Sequence, residues 1–212
     1  NNTPQVNVTG STSFTVQNTD DGDNFVLDIN GGTFTSGGSM TLLVANTATD
    51  DSRMDVQVDG ATINANGGLT LNQQAGSTFD VLINSNSTAV EAVLSVAGNL
   101  LMTHAAAASD QTFQTNASST VGVTGNMVLT LNDNSGDDQN LDLNGGTFTV
   151  AGNLTSTITG TGNSQQFYWT LDGSSVMTVG GEVNITQLSG GPLYLYVNKN
   201  NGSGASLNIG SD

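Results

Sequence analysis

Cysteine is absent from this chain, and basic side chains nearly so: Lys and Arg together number 2 among 212 residues. Without cysteine there is no disulfide stapling and no thiolate-ligated metal, whatever the compartment. Arg53 and Lys199 are the sole fixed cations, so no basic patch exists. That excludes binding to the nucleic-acid backbone and electrostatic docking to anionic lipid. No apolar run reaches transmembrane length and no signal-peptide pattern is visible, so membrane insertion is not expected. Proline occurs twice, histidine once (His104) and tryptophan once (Trp169). The start at Asn1-Asn2-Thr3 lacks a Met and reads as a processed or excised piece.

What the chain does contain is glycine, at 27 residues, and a large excess of acid: Asp and Glu number 18, for a formal net charge of -16. Charged residues are still only 9% of the total; Asn, Ser and Thr fill most other polar positions. Such a surface suits divalent cations or solubility at high ionic strength. Low charge with abundant Asn, Ser and Thr also occurs in disordered chains. Here the apolar residues, 35% of the total, fall in alternating runs, which argues for order.

The runs repeat. "NFVLDINGGTFTSGGSMTLLV" begins at Asn24, and "NLDLNGGTFTVAGNLTSTITGTG" begins at Asn140. Apolar-x-apolar followed by Asn or Asp ends at Asn30, Asp59, Asn84, Asn144, Asp172 and Asn198, with a degenerate copy ending at Asn116. The spacing is most often about 27 residues, a solenoid period. A second signature follows: Val96-Ala97-Gly98-Asn99-Leu100, Val123-Thr124-Gly125-Asn126-Met127 and Val150-Ala151-Gly152-Asn153-Leu154, with Val179-Gly180-Gly181-Glu182-Val183 as a variant. A third alternation comes next, as in Leu154-Thr155-Ser156-Thr157-Ile158, and a polar loop of variable length closes the unit.

Each repeat therefore reads as three short strands with glycine-containing corners. This predicts an all-β fold, a right-handed parallel β-helix of about seven or eight rungs in a single domain over residues 1–212. At about 4.8 Å per rung the rod is roughly 35 Å long. No segment has helical periodicity; His104-Ala105-Ala106-Ala107-Ala108 is the one helix-like stretch and is assigned to a loop. Stacked like charges repel, whereas Asn and Thr can bond their own copies above and below. Asn30, Asp59, Asn84, Asn116, Asn144, Asp172 and Asn198 are the expected corner ladder. Phe25, Phe79, Phe113 and Phe167 are expected to stack inside, with Trp169 in the core.

"LNGGTFTVAGNL" resembles the strand-and-turn repeats of secreted bacterial β-solenoids, namely autotransporter passenger regions and related surface adhesins. The resemblance covers nearly the whole chain as a pattern of Gly, Asn, Thr and aliphatics. It implies extracellular or cell-surface display as a stalk or adhesive rod, and it carries no catalytic motif.

Three acidic segments precede first strands: "NTDDGDN" from Asn18, "NTATDDS" from Asn46 and "NDNSGDDQN" from Asn132. Ca²⁺ takes about six to eight oxygen ligands from carboxylates, amides and backbone. Candidate donors are Asp20, Asp21 and Asp23, then Asp50 and Asp51, then Asn132, Asn134, Asp137 and Asp138. None of the three matches an EF-hand, and solvated acidic turns have the same composition. Enzymes on β-helices are mostly polysaccharide lyases and hydrolases. A lyase needs a base and a cation, yet Arg53 and Lys199 lie far apart in rung order. A hydrolase needs paired carboxylates about 5–10 Å apart. Asp28, Asp142 and Asp172 are expected to point outward from different rungs without a His or Tyr cluster beside them.

Ice binding requires a regular Thr face; Ser13/Thr15, Thr33/Thr35, Thr62/Asn64 and Thr147/Thr149 are expected at equivalent points, with breaks at Thr120/Gly122 and Ser175/Met177. Asn-x-Ser/Thr sequons begin at Asn86, Asn116, Asn153 and Asn184. Tyr194 and Tyr196 alternate outward on the last rung and, with Tyr168, are the candidates for a sugar contact or an end-to-end contact. Neither end shows an amphipathic helix or charged cap, so the chain is either a slice of a longer solenoid or a unit whose copies stack into a filament. The resulting expectation is a non-enzymatic extracellular rod, assembling end to end or forming an adhesin stalk, with Ca²⁺ at its acidic loops. Its partners are copies of itself, neighbouring solenoid repeats or surface polysaccharide. A carbohydrate- or ice-binding module and a polysaccharide-degrading enzyme stand as alternatives.

Overall fold

A computed structural model describes residues 4–17, 24–45, 53–76, 78–86, 90–132, 138–159, 166–188, 192–197 and 204–210. Among them are twenty strands and no helix. The first turns contain β1 (Gln5–Val8), β2 (Thr12–Val16), β3 (Asn24–Ser36), β4 (Met40–Val44), β5 (Arg53–Ala65), β6 (Leu69–Gly76) and β7 (Phe79–Ile83). The middle holds β8 (Ala92–Val96), β9 (Leu100–Ala108), β10 (Gln111–Thr115), β11 (Ser119–Val123), β12 (Met127–Asn132) and β13 (Gln139–Leu143). The last part holds β14 (Thr147–Val150), β15 (Leu154–Thr159), β16 (Phe167–Leu171), β17 (Val176–Val179), β18 (Val183–Gln187), β19 (Leu193–Val197) and β20 (Ser206–Ile209).

Every pairing is parallel and joins a strand to its counterpart one turn away. Met54 pairs with Phe79, Phe79 with Gln111, Gln111 with Gln139 and Gln139 with Phe167. The result is a parallel β-solenoid of about six turns with a spacing near 28 residues; the seven or eight expected rungs include the part-turns at its ends. Three faces run along it. The first comprises the leading halves of β3 and β5, then β7, β10, β13, β16 and β19. The second comprises β1, the trailing halves of β3 and β5, then β8, β11, β14, β17 and β20. Because β3 and β5 pass through the corner unbroken, these two faces form one 13-stranded sheet; β2, β4, β6, β9, β12, β15 and β18 make the 7-stranded third face.

Alternation decides which side chains are inside. In β7, β8, β10, β11 and β13, buried and half-buried residues alternate strictly. The inward columns are continuous, for example Val56–Val81–Phe113–Leu141–Trp169 and Leu42–Leu71–Met102–Leu129. Full burial of each such aliphatic or aromatic side chain contributes about 1.5–3 kcal/mol. Trp169 is in the core as expected, with 0% exposure. The expected phenylalanine stack is not continuous. Phe79 and Phe167 share a column but Gln111 and Gln139 lie between them; Phe113 sits one inward step further along its strand and packs on Phe148 of the second face, ring centroids 5.8 Å apart. Phe25 lies at the first turn, against Phe14 at 5.6 Å.

Two corners are built differently. Between the first and second faces the chain turns at positive φ, at Gly60 (φ 56°) and Gly173 (φ 60°), where a side chain would be strained. Asn84 adopts the same region (φ 60°), as Asn tolerates. Between the second and third faces the Gly-Asn signature recurs in register. Gly125 N–H donates to the Gly98 carbonyl at 3.0 Å, and Gly152 N–H to that of Gly125 at 3.0 Å. Beside them Asn99 Oδ1 accepts from Asn126 N–H (2.9 Å), Asn126 Oδ1 from Asn153 N–H (2.8 Å), and Asn153 Oδ1 from Glu182 N–H (2.9 Å). Glycine is required because a Cβ on Gly125 would meet Asn99 Oδ1 and lie 2.7 Å from the Gly98 oxygen.

This corner yields a ranked prediction. Gly125→Ala is expected to lower stability by about 1–3 kcal/mol through overpacking against backbone, and Asn126→Ala by about 1 kcal/mol through one lost hydrogen bond. Urea unfolding followed by circular dichroism checks the order; equal losses, or the reverse order, contradict it.

Candidate functional site

Side chains that point outward also form columns, and these are where a ligand or partner has to bind. On the first face one column runs Val26, Asp55, Asp80, Thr112, Asn140, Tyr168, Tyr194; the other runs Asp28, Gln57, Leu82, Gln114, Asp142, Thr170, Tyr196. The second face presents Thr33, Thr62, Val93, Thr120, Thr147, Val176, Ser206 beside Thr35, Asn64, Ser95, Gly122, Thr149, Thr178, Asn208. This is not a regular threonine array: Val93, Gly122 and Val176 interrupt it. Ser13 and Thr15 do not belong to it, because β2 lies on the third face and pairs with β4. Ser175 is buried rather than part of the face, and Met177 points into the core.

The first face carries the chemistry. At one end Asp55 and Asp80 are cross-strand neighbours, and Arg53 links them: its Nε donates to Asp55 Oδ1 at 2.7 Å, and its Nη2 lies 3.5 Å from Asp80 Oδ2. Burial pushes the Asp80 carboxyl above the usual carboxylate range, and the negative charge of Asp55 adds to that; Arg53 and the Thr112 hydroxyl pull it back. At the other end all three tyrosines of the chain meet. The Tyr168 and Tyr194 rings stack with centroids 5.2 Å apart and planes 13° from parallel; Tyr194 and Tyr196 are 5.7 Å apart at 6°. The Tyr168 hydroxyl donates to Gln166 Oε1. Partial burial, then Asp138 and the two neighbouring tyrosines, raises the Tyr168 phenol, so it stays a donor.

The expected corner ladder stands in register over Asn30, Asp59, Asn84, Asn116, Asn144 and Asp172, joined by backbone bonds such as Asn84 N–H to Val58 O (2.7 Å) and Asp172 N–H to Leu143 O (2.7 Å); Asn198 lies outside the described residues. The side chains do not simply bond like to like. Asn116 Nδ2 donates to the Asn84 carbonyl (3.1 Å) and Asn84 Nδ2 to that of Ala117. The buried Asp59 carboxylate accepts from Ser85 Oγ (2.8 Å), Asn86 N–H (3.1 Å) and Asn86 Nδ2 (2.7 Å). Asp172 is buried at this corner, one residue past the end of β16, and is not exposed on the first face as expected. Asp28 and Asp142 do point outward, in one column but four turns apart.

Of the calcium candidates, Asp20, Asp21, Asp23, Asp50, Asp51, Asn134 and Asp137 lie outside the described residues. Asn132 ends β12, exposed. Asp138 belongs to a backbone-capping column at the third corner: Asp110 Oδ1 accepts from Asp138 N–H (2.9 Å), and Asp138 Oδ1 from Gln166 N–H (3.0 Å). Among the described residues no three His, Asp or Glu side chains gather as a metal site.

His104 is not in a loop. It is in β9 at 0% exposure, pointing inward, because the alanines after it continue the strand to Ala108. Around it Gln73, Gln111 and Gln139 are also buried. Gln73 Nε2 donates to the Ser109 carbonyl at 3.2 Å, a His104 ring nitrogen bonds the same oxygen, and Gln111 Nε2 donates to the Thr103 carbonyl at 3.3 Å. Gln139 Nε2 donates to Gln111 Oε1 at 2.6 Å, while Gln139 Oε1 has no partner. The reason is local. Only Ser109 and Asp110 separate β9 from β10, so a backbone carbonyl is buried at the corner and amides must satisfy it. The Ala run and the sole histidine gave no hint of this; the inward parity of His104 on an extended β9 is the signal that finds it. No family model, curated protein or solved structure matches the chain.

Two predictions follow from this geometry. The folded Asp80 carboxyl holds its proton more tightly than the unfolded one, so its charge costs stability above the folded value and the cost vanishes as pH falls through the carboxylate range. Asp80→Asn is therefore expected to stabilise at pH 7 by up to about 1 kcal/mol, a gain that disappears below about pH 4. Thermal melts across pH check this; a constant gain contradicts it. In the core, Gln111→Leu alone deprives both the Gln139 amide and the Thr103 carbonyl of a partner and is expected to cost about 1–3 kcal/mol, whereas adding Gln139→Leu is expected to recover part of that loss. Denaturant titration of both variants separates the two cases, and additive losses contradict the account.

Proposed function

We propose that this chain is a non-enzymatic structural rod that joins end to end with copies of itself, forming a fibre outside the cell. One observation carries the reading. Side chains of the same inward columns are buried in the middle turns and more exposed on the outermost described strands. At one end Val6 is 54% exposed, while at the other Leu195 is 45% and Ile209 52% exposed. Among the described residues the first strand, β1, and the last, β20, both lie on the second face. Pairing β20 with β1 of the next copy extends that sheet in register, bringing Leu207 and Ile209 under Val6 and Val8. Such a head-to-tail contact does not close and so makes filaments. Among the described residues the first and third faces each have one strand fewer than the second.

The outward columns support the non-enzymatic part. The one cross-strand carboxylate pair of the first face, Asp55 and Asp80, is tied to Arg53, with no His or Tyr in its column closer than Tyr168. The likeness of the repeats to secreted surface solenoids supports the extracellular location.

End-blocking variants test the assembly. The unmodified chain is expected to gain mass with concentration in light scattering. Val6→Asp and Ile209→Asp are each expected to be monomeric with unchanged circular dichroism, and their equimolar mixture to form dimers, because each keeps one intact end. A chain that stays monomeric at all concentrations, or a mixture that stays monomeric, contradicts the proposal.

A further inference from the structure

We propose that Asn30–Gly31 is a self-modifying site, at which the Asn30 side-chain amide converts spontaneously to aspartate and isoaspartate. The sequence Asn-Gly-Gly occurs three times, beginning at Asn30, Asn66 and Asn144. The local chemistry of the three is therefore the same, and the fold distinguishes them. In the reaction the Gly31 backbone nitrogen attacks the Asn30 side-chain carbonyl carbon. An N–Cγ bond forms, the Cγ–Nδ2 bond breaks, and the amide nitrogen leaves as ammonia, taking the proton that the Gly31 N–H gives up. Water then opens the cyclic imide at either carbonyl. One product is Asp; the other is isoaspartate, which carries an extra methylene in the backbone. The step is fastest before glycine, whose missing Cβ lets the backbone come close, and it needs a peptide that can rotate onto the side chain.

Two of the three peptides are clamped. Asn66 N–H donates to the Ser36 carbonyl and Gly67 N–H to that of Gly38, both at 3.0 Å, so the Gly67 nitrogen is held in the second corner. Asn144 N–H donates to the Thr115 carbonyl at 2.9 Å, and the Gly145 carbonyl accepts from Thr115 Oγ1 at 3.0 Å. Gly145 is buried, and a Cβ on it would lie 2.8 Å from the Ala117 nitrogen. Asn30–Gly31 differs on each count. Both residues are exposed. Gly31 has φ 73° and nothing within 4 Å of where a Cβ would stand. The pairing of β3 with β5 passes from Asn30–Asp59 to Gly32–Ala61 without including Gly31. Among the described residues no strand pairs with Asn30 on its other side, because β1 pairs with β3 only from Thr33 onward. The product places a second carboxylate in the turn next to the buried Asp59, where like charges are unfavourable, so the reaction also loosens this corner. None of this depends on the contact between copies of the rod.

Peptide mapping by mass spectrometry tests it, after incubation of the dilute chain at mildly alkaline pH, with the chain unfolded in guanidinium chloride as the control. In the unfolded chain each peptide rotates freely, and the three sites are expected to react within about threefold of one another. In the folded chain Asn30 is expected to react at least about tenfold faster than Asn66 and Asn144, where reaction waits on local opening. Equal rates at the three sites of the folded chain overturn the proposal. So does an Asn30 that stays intact in the folded chain while it reacts in the unfolded one. Asn30→Asp, which reproduces one product, is expected to lower the urea midpoint of the chain near neutral pH; an unchanged midpoint overturns the loosening of the corner.

Discussion

Each side chain in the middle of this solenoid has a neighbour in the same position one turn above and another one turn below, about 4.8 Å away. Nothing else in the fold imposes so many conditions at once. A charge placed in a column meets the column again at the next turn, where a like charge is unfavourable. That is a physical reason for 9% charged residues and for so many amides and hydroxyls. Where carboxylates do stack on the first face, at Asp55 and Asp80, one of the chain's two cations is placed against them.

The same constraint explains the glycines of the second corner. A turn can repeat only if its backbone passes close to the turn below, and Gly98, Gly125, Gly152 and Gly181 lie one on another with N–H to carbonyl bonds between them. The asparagines that follow Gly98, Gly125 and Gly152 each accept from the N–H of the following turn, so the corner is held by side chain and backbone together. The core answers to the same rule. Ser156 stands in a column otherwise filled by apolar side chains, from Phe14, Leu42, Leu71, Met102 and Leu129 to Ile185. On the outermost described strands the inward columns are less covered, and Val6 and Ile209 are exposed.

The three faces and the buried Trp169 were legible because period-two alternation and a repeat near 28 residues are direct consequences of stacking. What was not legible depends on register rather than pattern. Phe113 looks like a rung start but pairs one inward step away, since a step of 32 residues separates Phe79 from Gln111. His104 reads as part of a helix-forming alanine stretch, yet strand pairing with β6 and β12 overrides that local preference. The Gly-Asn signature was visible, but the forward bond from each Asn to the next turn required knowing that consecutive copies lie in contact. The ring geometry of the tyrosines depends on two strands that are 26 residues apart in sequence, Phe167 pairing with Leu193.

Negative-stain electron microscopy of the purified chain tests the proposed assembly, in which β20 of one copy pairs with β1 of the next. Long unbranched threads of constant width are the expected result. Discrete particles no longer than about eight strand spacings, roughly 35–40 Å, at every concentration would contradict it.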